Sequence, residues 1–154
     1  MMSENYDIEN WGGTTVPEDP AGSISGEEYR MLKQRLAASK FRSRFRLGER
    51  ELLYLARRGR SAVAGECRGF LIRRLAPAQP RNDGRQTPMR GHPCFVAQHA
   101  TGCCCRGCLS KWHHIPTGRE LTGAELDRLT AILVRWIDEH SAGVGELPYT
   151  PDLF

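Results

Sequence analysis

Residues 121–140, LTGAELDRLTAILVRWIDEH, carry the strongest structural signal in this chain of 154 residues. Thr122 and Glu125 have the spacing of a capping box, and the leucines on either side, Leu121 and Leu126, form the matching hydrophobic staple. Large apolar side chains then recur every three or four residues, at Leu126, Leu129, Leu133, Trp136 and Ile137. The pattern predicts an amphipathic helix that ends near residue 143.

Three more helices are predicted upstream of this one, over residues 26–39, 49–58 and 61–75. The stretch 76–93 is rich in proline and glycine and predicts a long loop, and residues 94–97 predict a short buried strand. We therefore expect a small single domain of the mainly α class, with about four helices around a Cys/His site. The alternative is an α+β domain with a minor pair of short strands.

The formal net charge of +4 hides a strong segregation of charge along the chain. Residues 1–29 hold 7 acidic residues and no Lys or Arg, whereas residues 30–90 hold 17 basic residues against 4 acidic ones. The first 25 residues lack any helical or strand period, which predicts an acidic flexible arm. We expect the folded domain over residues 26–141 and a coil tail over 142–154.

Composition excludes several classes of protein. No run of the chain approaches the roughly 20 apolar residues of a membrane-spanning helix. The N-terminal sequence MMSENYDIENWGG has neither the basic nor the apolar region of a secretory signal. We therefore expect a cytoplasmic protein with no membrane association, and the sequence leaves its oligomeric state open.

Four of the six cysteines lie within six residues, at 103, 104, 105 and 108. In a chain without an export signal, clustered thiols indicate metal binding or redox chemistry rather than disulfides. The spacing Cys105-x2-Cys108-x4-His113 matches three quarters of a zinc knuckle, in which two thiolates reach one tetrahedral ion. The fourth knuckle position is Gly118, so another residue must supply the last ligand.

His99 and Cys104 are the leading choices for that fourth ligand, followed by Cys94 and His114. Cys108 and His113 are five residues apart, about 140° out of phase on an α-helix, so sharing an ion requires a turn between them, at Lys111 and Trp112. Zinc is the expected metal and iron the alternative, since thiolates suit both. Reduced structural cysteines and a metal-free redox thiol are further alternatives, and the site is either closed and structural or open and catalytic.

The sequence resembles a bacterial family catalogued as domain of unknown function 4186. The resemblance rests on KFRSRF (40–45), LAPAQPRNDGRQTPMRGHP (75–93), AQHATGCCCRGCLSKWHHIP (97–116) and GRELT (118–122), and it covers about residues 30–140. It implies a small cytosolic protein with no settled activity, whose pattern carries over to His99, Cys104, Cys105, Cys108 and His113. Cys103 departs from that pattern, where a small or hydroxyl residue is expected.

Two features point to partners. The loop before the cluster offers Arg85, Thr87 and Arg90 as anion-binding residues, and Asp83, Arg90 and His92 as candidate catalytic residues beside a metal. The basic middle of the chain is dominated by arginine, which favours phosphate recognition. The first hypothesis is thus a zinc-binding module for nucleic acid or another polyanion. The alternative is a metal-dependent hydrolase or transferase acting on a small anionic substrate; whether the protein is an enzyme at all is left open.

Overall fold

A computed structural model describes residues 24–142 of the chain, and this part contains seven helices and no strand. The helices are α1 (Gly26–Ala37), α2 (Lys40–Ser43), α3 (Glu49–Arg58), α4 (Arg60–Arg74), α5 (Pro93–Thr101), α6 (Arg106–His113) and α7 (Gly123–Glu139). The prediction of a small, mainly helical domain is confirmed. Four of these helices are the predicted ones, and α2, α5 and α6 were not predicted.

Helix α7 begins as the sequence predicts. The Thr122 side chain accepts a hydrogen bond from the Glu125 amide, and the Glu125 carboxylate accepts one from the Thr122 amide, so both halves of the capping box are present. Its apolar face, with Leu129, Ile132 and Leu133 fully buried, packs against α4 and α5. These contacts form one side of the hydrophobic core.

Helix α5 lies at the centre of the domain and packs against α1, α2, α3, α4 and α7. The short strand predicted at residues 94–97 is wrong, because this stretch lies inside α5. Eight of the nine residues of α5 are buried, so the helix has no polar face and its sequence shows no 3.6-residue period. The signals that it does carry are Pro93 at its first turn and Gly102, in the left-handed conformation, at its end.

The predicted acidic arm (1–25) and coil tail (142–154) lie almost wholly outside the described residues. Of the arm, only its last two residues are described: Ile24 is buried in the core, and the Ser25 side chain caps α1. No helix in residues 24–142 is both long enough and apolar enough to cross a bilayer.

Candidate metal centre

Three cysteines converge where the chain enters α6. Cys105 is the N-cap residue of this helix, Cys108 lies one turn further on, and Cys104 directly precedes the cap. Their sulfur atoms all lie within 4.8 Å of one another, and the Cys104 and Cys108 Sγ atoms are 3.5 Å apart. Within residues 24–142 no other group of three His, Cys, Asp or Glu donors is this close. A cluster of three sulfurs with this spacing can hold a metal ion.

The guanidinium of Arg42, on α2, reaches into this cysteine cluster. Its Nη2 lies 3.0 Å from the Cys108 Sγ and its Nη1 3.9 Å from the Cys104 Sγ, while Nη1 also donates to the His99 carbonyl at 2.6 Å. The guanidinium lies against the ring of Trp112, 5.6 Å from its centroid. Arg42 is only 9% exposed, so a buried cation lies against the sulfurs of Cys104 and Cys108.

The three thiols differ in their pKa. A hydrogen bond with the Cys108 thiol, together with the nearby Arg42 guanidinium, lowers the pKa of Cys104 against the effect of burial. The same hydrogen bond and burial raise the pKa of Cys108. Burial raises the pKa of Cys105, while the backbone amides of Cys108 and Gly107 act in the opposite direction. Cys104 is therefore the first of the three to become a thiolate.

His99 and His113 were predicted as ligands, and the structure places neither in the group of three sulfurs. The His99 Nε2 lies 3.1 Å from the carbonyl oxygens of Thr87 and Pro88, and its ring stacks on Phe45. The His113 Nε2 lies 2.8 Å from the Thr101 carbonyl. A nitrogen that faces carbonyl oxygens carries the proton and cannot coordinate a metal through the same atom.

The expected turn at residues 111–112 is wrong. Helix α6 continues from Arg106 to His113, and the chain turns only at His114, which has a left-handed backbone with φ of 58°. The phase difference between Cys108 and His113 is therefore retained, so the two side chains leave different sides of the helix. Burial lowers the pKa of His113 to about 4, so its imidazole is neutral at pH 7.

The remaining sulfur candidates are occupied elsewhere. Cys94 is fully buried and its thiol donates to the Gln98 side-chain oxygen, 3.4 Å away. Cys103 is fully buried, and its Sγ lies 3.4 Å from both the Thr101 hydroxyl and the His113 Nε2. Burial raises the pKa of Cys103 to about 12, which keeps it a neutral thiol. The triple cysteine thus divides into one core residue and two members of the cluster.

The polar residues of the 76–93 loop bind parts of the protein itself. The Thr87 hydroxyl donates to the Cys104 carbonyl at 2.8 Å, which ties the loop to the cysteine cluster. The Asp83 carboxylate accepts from the Arg106 backbone amide, at the first residue of α6. Arg85 is exposed, and Arg90 lines a separate cavity with Arg44 and Arg46. The structure therefore does not gather the predicted anion-binding residues into one pocket.

His92, a candidate catalytic residue, has both ring nitrogens engaged. Its Nδ1 accepts from the Cys94 amide and so caps α5, and its Nε2 donates to the Glu66 carboxylate at 2.8 Å. The rings of Tyr54, Phe70 and Phe95 surround it. These contacts fix the orientation of the His92 ring at the start of α5.

Sequence reasoning missed two arginines that build the site. Arg42 supplies the cation at the sulfurs, and no linear signal links it to cysteines more than sixty residues later. Arg106, 1% exposed, donates to the carbonyls of four residues that frame α6. These are Leu75, Pro77, Pro116 and Arg119.

Fold and site together define a small helical protein with a candidate thiolate metal centre. Residues 30–138 match the family model described as Domain of unknown function (DUF4186), which is well over half of the chain. The chain belongs to this family, and the resemblance seen in its sequence is confirmed. No solved structure matches it.

Proposed function

We propose that this protein binds a zinc ion through the thiolates of Cys104, Cys105 and Cys108. The observation that carries the proposal is the burial of Arg42 against these sulfurs. Among the described residues Arg42 makes no ion pair with a carboxylate, and its guanidinium donates to the Cys108 sulfur at 3.0 Å. A buried cation is costly unless it has an anionic partner, and thiolates are the anions within its reach.

Charge counting supports a divalent ion. Three thiolates carry a charge of −3, a divalent metal reduces this to −1, and the Arg42 guanidinium brings the centre to neutrality. Without the ion, three neighbouring thiolates would repel one another, so their protons would be retained and Arg42 would lose its anionic partners. Metal binding therefore offsets the repulsion between the thiolates and gives Arg42 an anionic partner.

Zinc suits this donor set because it accepts thiolates in tetrahedral geometry and has no redox chemistry of its own. All six cysteines are free thiols, which is the state that a reducing cytoplasm maintains. We therefore include a cytoplasmic location in the proposal. Iron is the alternative metal, and its thiolate complexes are distinguished by their colour and redox activity.

The proposal is tested by measuring the metal content of the full chain after reconstitution with zinc. We expect one zinc per chain, retained by Cys103→Ser and lost in Cys104→Ser, Cys105→Ser and Cys108→Ser. Cys103 is the matched control, since it adjoins the cluster in sequence while its sulfur contacts Thr101 and His113. Zinc retained by all three cluster variants would overturn the proposal.

A second measurement covers the case in which the cluster variants do not fold. Wild-type protein is titrated with a thiol-reactive mercurial while released zinc is followed with a colorimetric indicator. We expect zinc release to accompany modification of the half-buried thiols, Cys105 and Cys108, ahead of the core thiols. Zinc that is released only when the core thiols react, at global unfolding, would contradict a site at the cluster.

A cavity of about 320 Å³ favours a second function, the binding of nucleic acid. Arg44, Arg46 and Arg90 line it, and none of them makes an ion pair within residues 24–142. The one carboxylate at the cavity, Glu51, accepts hydrogen bonds from the backbone amides of Gly48 and Gly91. Three arginines without acidic partners offer forked donors that match phosphate oxygens.

Binding is tested by the fluorescence anisotropy of labelled duplex and single-stranded DNA at several salt concentrations. We expect the logarithm of affinity to fall with the logarithm of salt, by about 0.9 per phosphate contact on duplex DNA. Replacing Arg44, Arg46 and Arg90 by Gln should weaken binding at least tenfold. The control changes Arg30, Lys33 and Arg60 to Gln, which removes equal charge from residues that already pair with carboxylates. A flat salt dependence, or equal losses in both variants, would contradict this function.

A further inference from the structure

We propose that the fourth coordination position of the metal at Cys104, Cys105 and Cys108 is filled from outside the chain, by a small neutral donor such as water or an amine nitrogen. This inference rests on the proposed zinc site. It concerns what the ion can bind beyond the protein, whereas the zinc site itself requires only the three sulfurs.

The first argument is the position of every cysteine and histidine in the sequence. All six cysteines and all five histidines lie between residues 67 and 140, inside the described part of the structure. Residues 1–23 and 143–154 contain no cysteine and no histidine. These two segments therefore cannot supply a fourth thiolate or an imidazole, which are the usual partners of three thiolates on zinc.

The second argument is that the other predicted ligands near the cluster lie outside the group of three sulfurs. The Nε2 atoms of His99 and His113 face backbone carbonyls, and the fully buried Cys103 Sγ lies 3.4 Å from both the Thr101 hydroxyl and the His113 Nε2. Neither ring nitrogen of His99 or His113 belongs to the group of donor atoms that lie within 4.8 Å of one another, which contains the three sulfurs alone. These contacts hold the imidazoles of His99 and His113 and the Cys103 thiol outside the cluster.

The third argument is that small molecules in solvent can reach the cysteine cluster. Cys104 is buried, whereas Cys105 and Cys108 are only half-buried, so the cluster faces solvent on the side of these two residues. An ion held by the three sulfurs can therefore meet a small molecule without any opening of the core. A tetrahedral ion with three protein ligands and an accessible fourth position is the arrangement found in catalytic zinc sites.

The net charge of the metal centre favours a neutral fourth ligand. Three thiolates, a divalent ion and the Arg42 guanidinium sum to zero, so a neutral donor leaves the half-buried centre neutral. An anionic donor would leave a net negative charge there, which burial disfavours. Water is thus the expected resting ligand, and a neutral nitrogen donor is expected to displace it. An exchangeable position of this kind is also what the alternative of a metal-dependent enzyme requires.

The experiment uses the full chain with cobalt(II) in place of zinc, since cobalt reports its geometry in the visible spectrum. X-ray absorption should give three sulfur neighbours and one oxygen or nitrogen neighbour. Titration with imidazole should then shift the visible bands saturably and add the outer-shell scattering of an imidazole ring to the X-ray absorption spectrum. His99→Ala and His113→Ala are the matched variants, and both should retain the shift, whereas azide should produce a weaker one.

The outcomes separate this inference from the zinc site. Failure of cobalt to bind in a one-to-one ratio would remove the metal site itself. Stoichiometric binding with four sulfur neighbours would leave the metal site intact and overturn the open position. A visible spectrum that imidazole does not change would also overturn the open position. A spectrum that already changes on the substitution His99→Ala or His113→Ala would overturn it as well.

Discussion

At the scale of single residues, Gly102 shows how closely the backbone approaches the site. It ends α5 with φ of 77°, and this left-handed turn directs the chain into the cysteine cluster. A Cβ atom at this position would lie 2.8 Å from the Cγ of Trp112, whose ring packs against Arg42. Both the conformation and the space therefore require glycine here.

Gly102→Ala should lower the free energy of unfolding by more than Gly118→Ala, measured by urea denaturation. Gly118 also has a positive φ, of 89°, and nothing lies within 4 Å of its added Cβ. The control therefore reports the cost of the left-handed backbone alone, about 1–2 kcal/mol. Gly102→Ala must also displace Trp112, which should lower the free energy of unfolding by about 1–3 kcal/mol more. An equal loss of unfolding free energy in the two variants would show that Trp112 moves aside without destabilising the protein.

At the scale of elements, a partly buried polar network joins α3, α4 and the start of α5. The Glu66 carboxylate accepts hydrogen bonds from the Tyr54 hydroxyl and the His92 ring, and it pairs with Arg58. Burial acts to raise the pKa of Glu66, but hydrogen bonds from His92, Arg58 and Tyr54 outweigh it and lower the pKa to about 2. The network thus holds a charged carboxylate between two helices.

This lowered pKa predicts a loss of stability in acid. Because the folded protein binds the Glu66 proton less tightly than the unfolded chain, the contribution is fully present above pH 4.5 and is lost as the pH falls toward 2. We expect Glu66→Gln to be less stable than the wild type by up to about 3 kcal/mol at pH 7. The difference in the free energy of unfolding between the two proteins, measured by urea denaturation, should become smaller between pH 4.5 and 2. A difference that does not depend on pH would contradict the lowered pKa of Glu66.

The elements also show where prediction from sequence succeeds. Helix α7 was predicted from its capping box and apolar period, both of which are local. The sequence predicts a strand at residues 94–97, inside helix α5, because burial on all sides removes the period that marks a helix. Its N-cap is His92, which lies outside the residue types that usually cap helices, so the start signal was weak as well.

At the scale of the whole molecule, Arg106 joins segments that are distant in sequence. Its guanidinium donates to carbonyls on both sides of α6, at Leu75 and Pro77 before the long loop and at Pro116 and Arg119 after the helix. Burial lowers the pKa of Arg106, yet four carbonyl acceptors still surround its charge. This one side chain therefore helps to hold the helix of the candidate metal centre in the domain.

Arg106→Lys should destabilise the whole domain by about 3 kcal/mol or more, because an ammonium cannot reach four acceptors and leaves buried carbonyls unpaired. Arg119→Lys is the matched control, since the Arg119 side chain is 42% exposed and pairs with Glu125. We expect that variant to lose less than about 1 kcal/mol. Thermal and urea unfolding followed by circular dichroism measure both, and similar losses would contradict the role of Arg106.

The sequence by itself determined the mainly helical class, the presence of clustered thiols at residues 103–108 and the segregation of charge. Each of these follows from residues that are neighbours along the chain, where spacing alone sets geometry. Only the tertiary structure decided which cysteine sulfurs lie close together, that Arg42 lies against them, and that His99 and His113 face carbonyls. Those outcomes depend on how helices pack and on which side each side chain leaves its helix, and neither is encoded in local spacing.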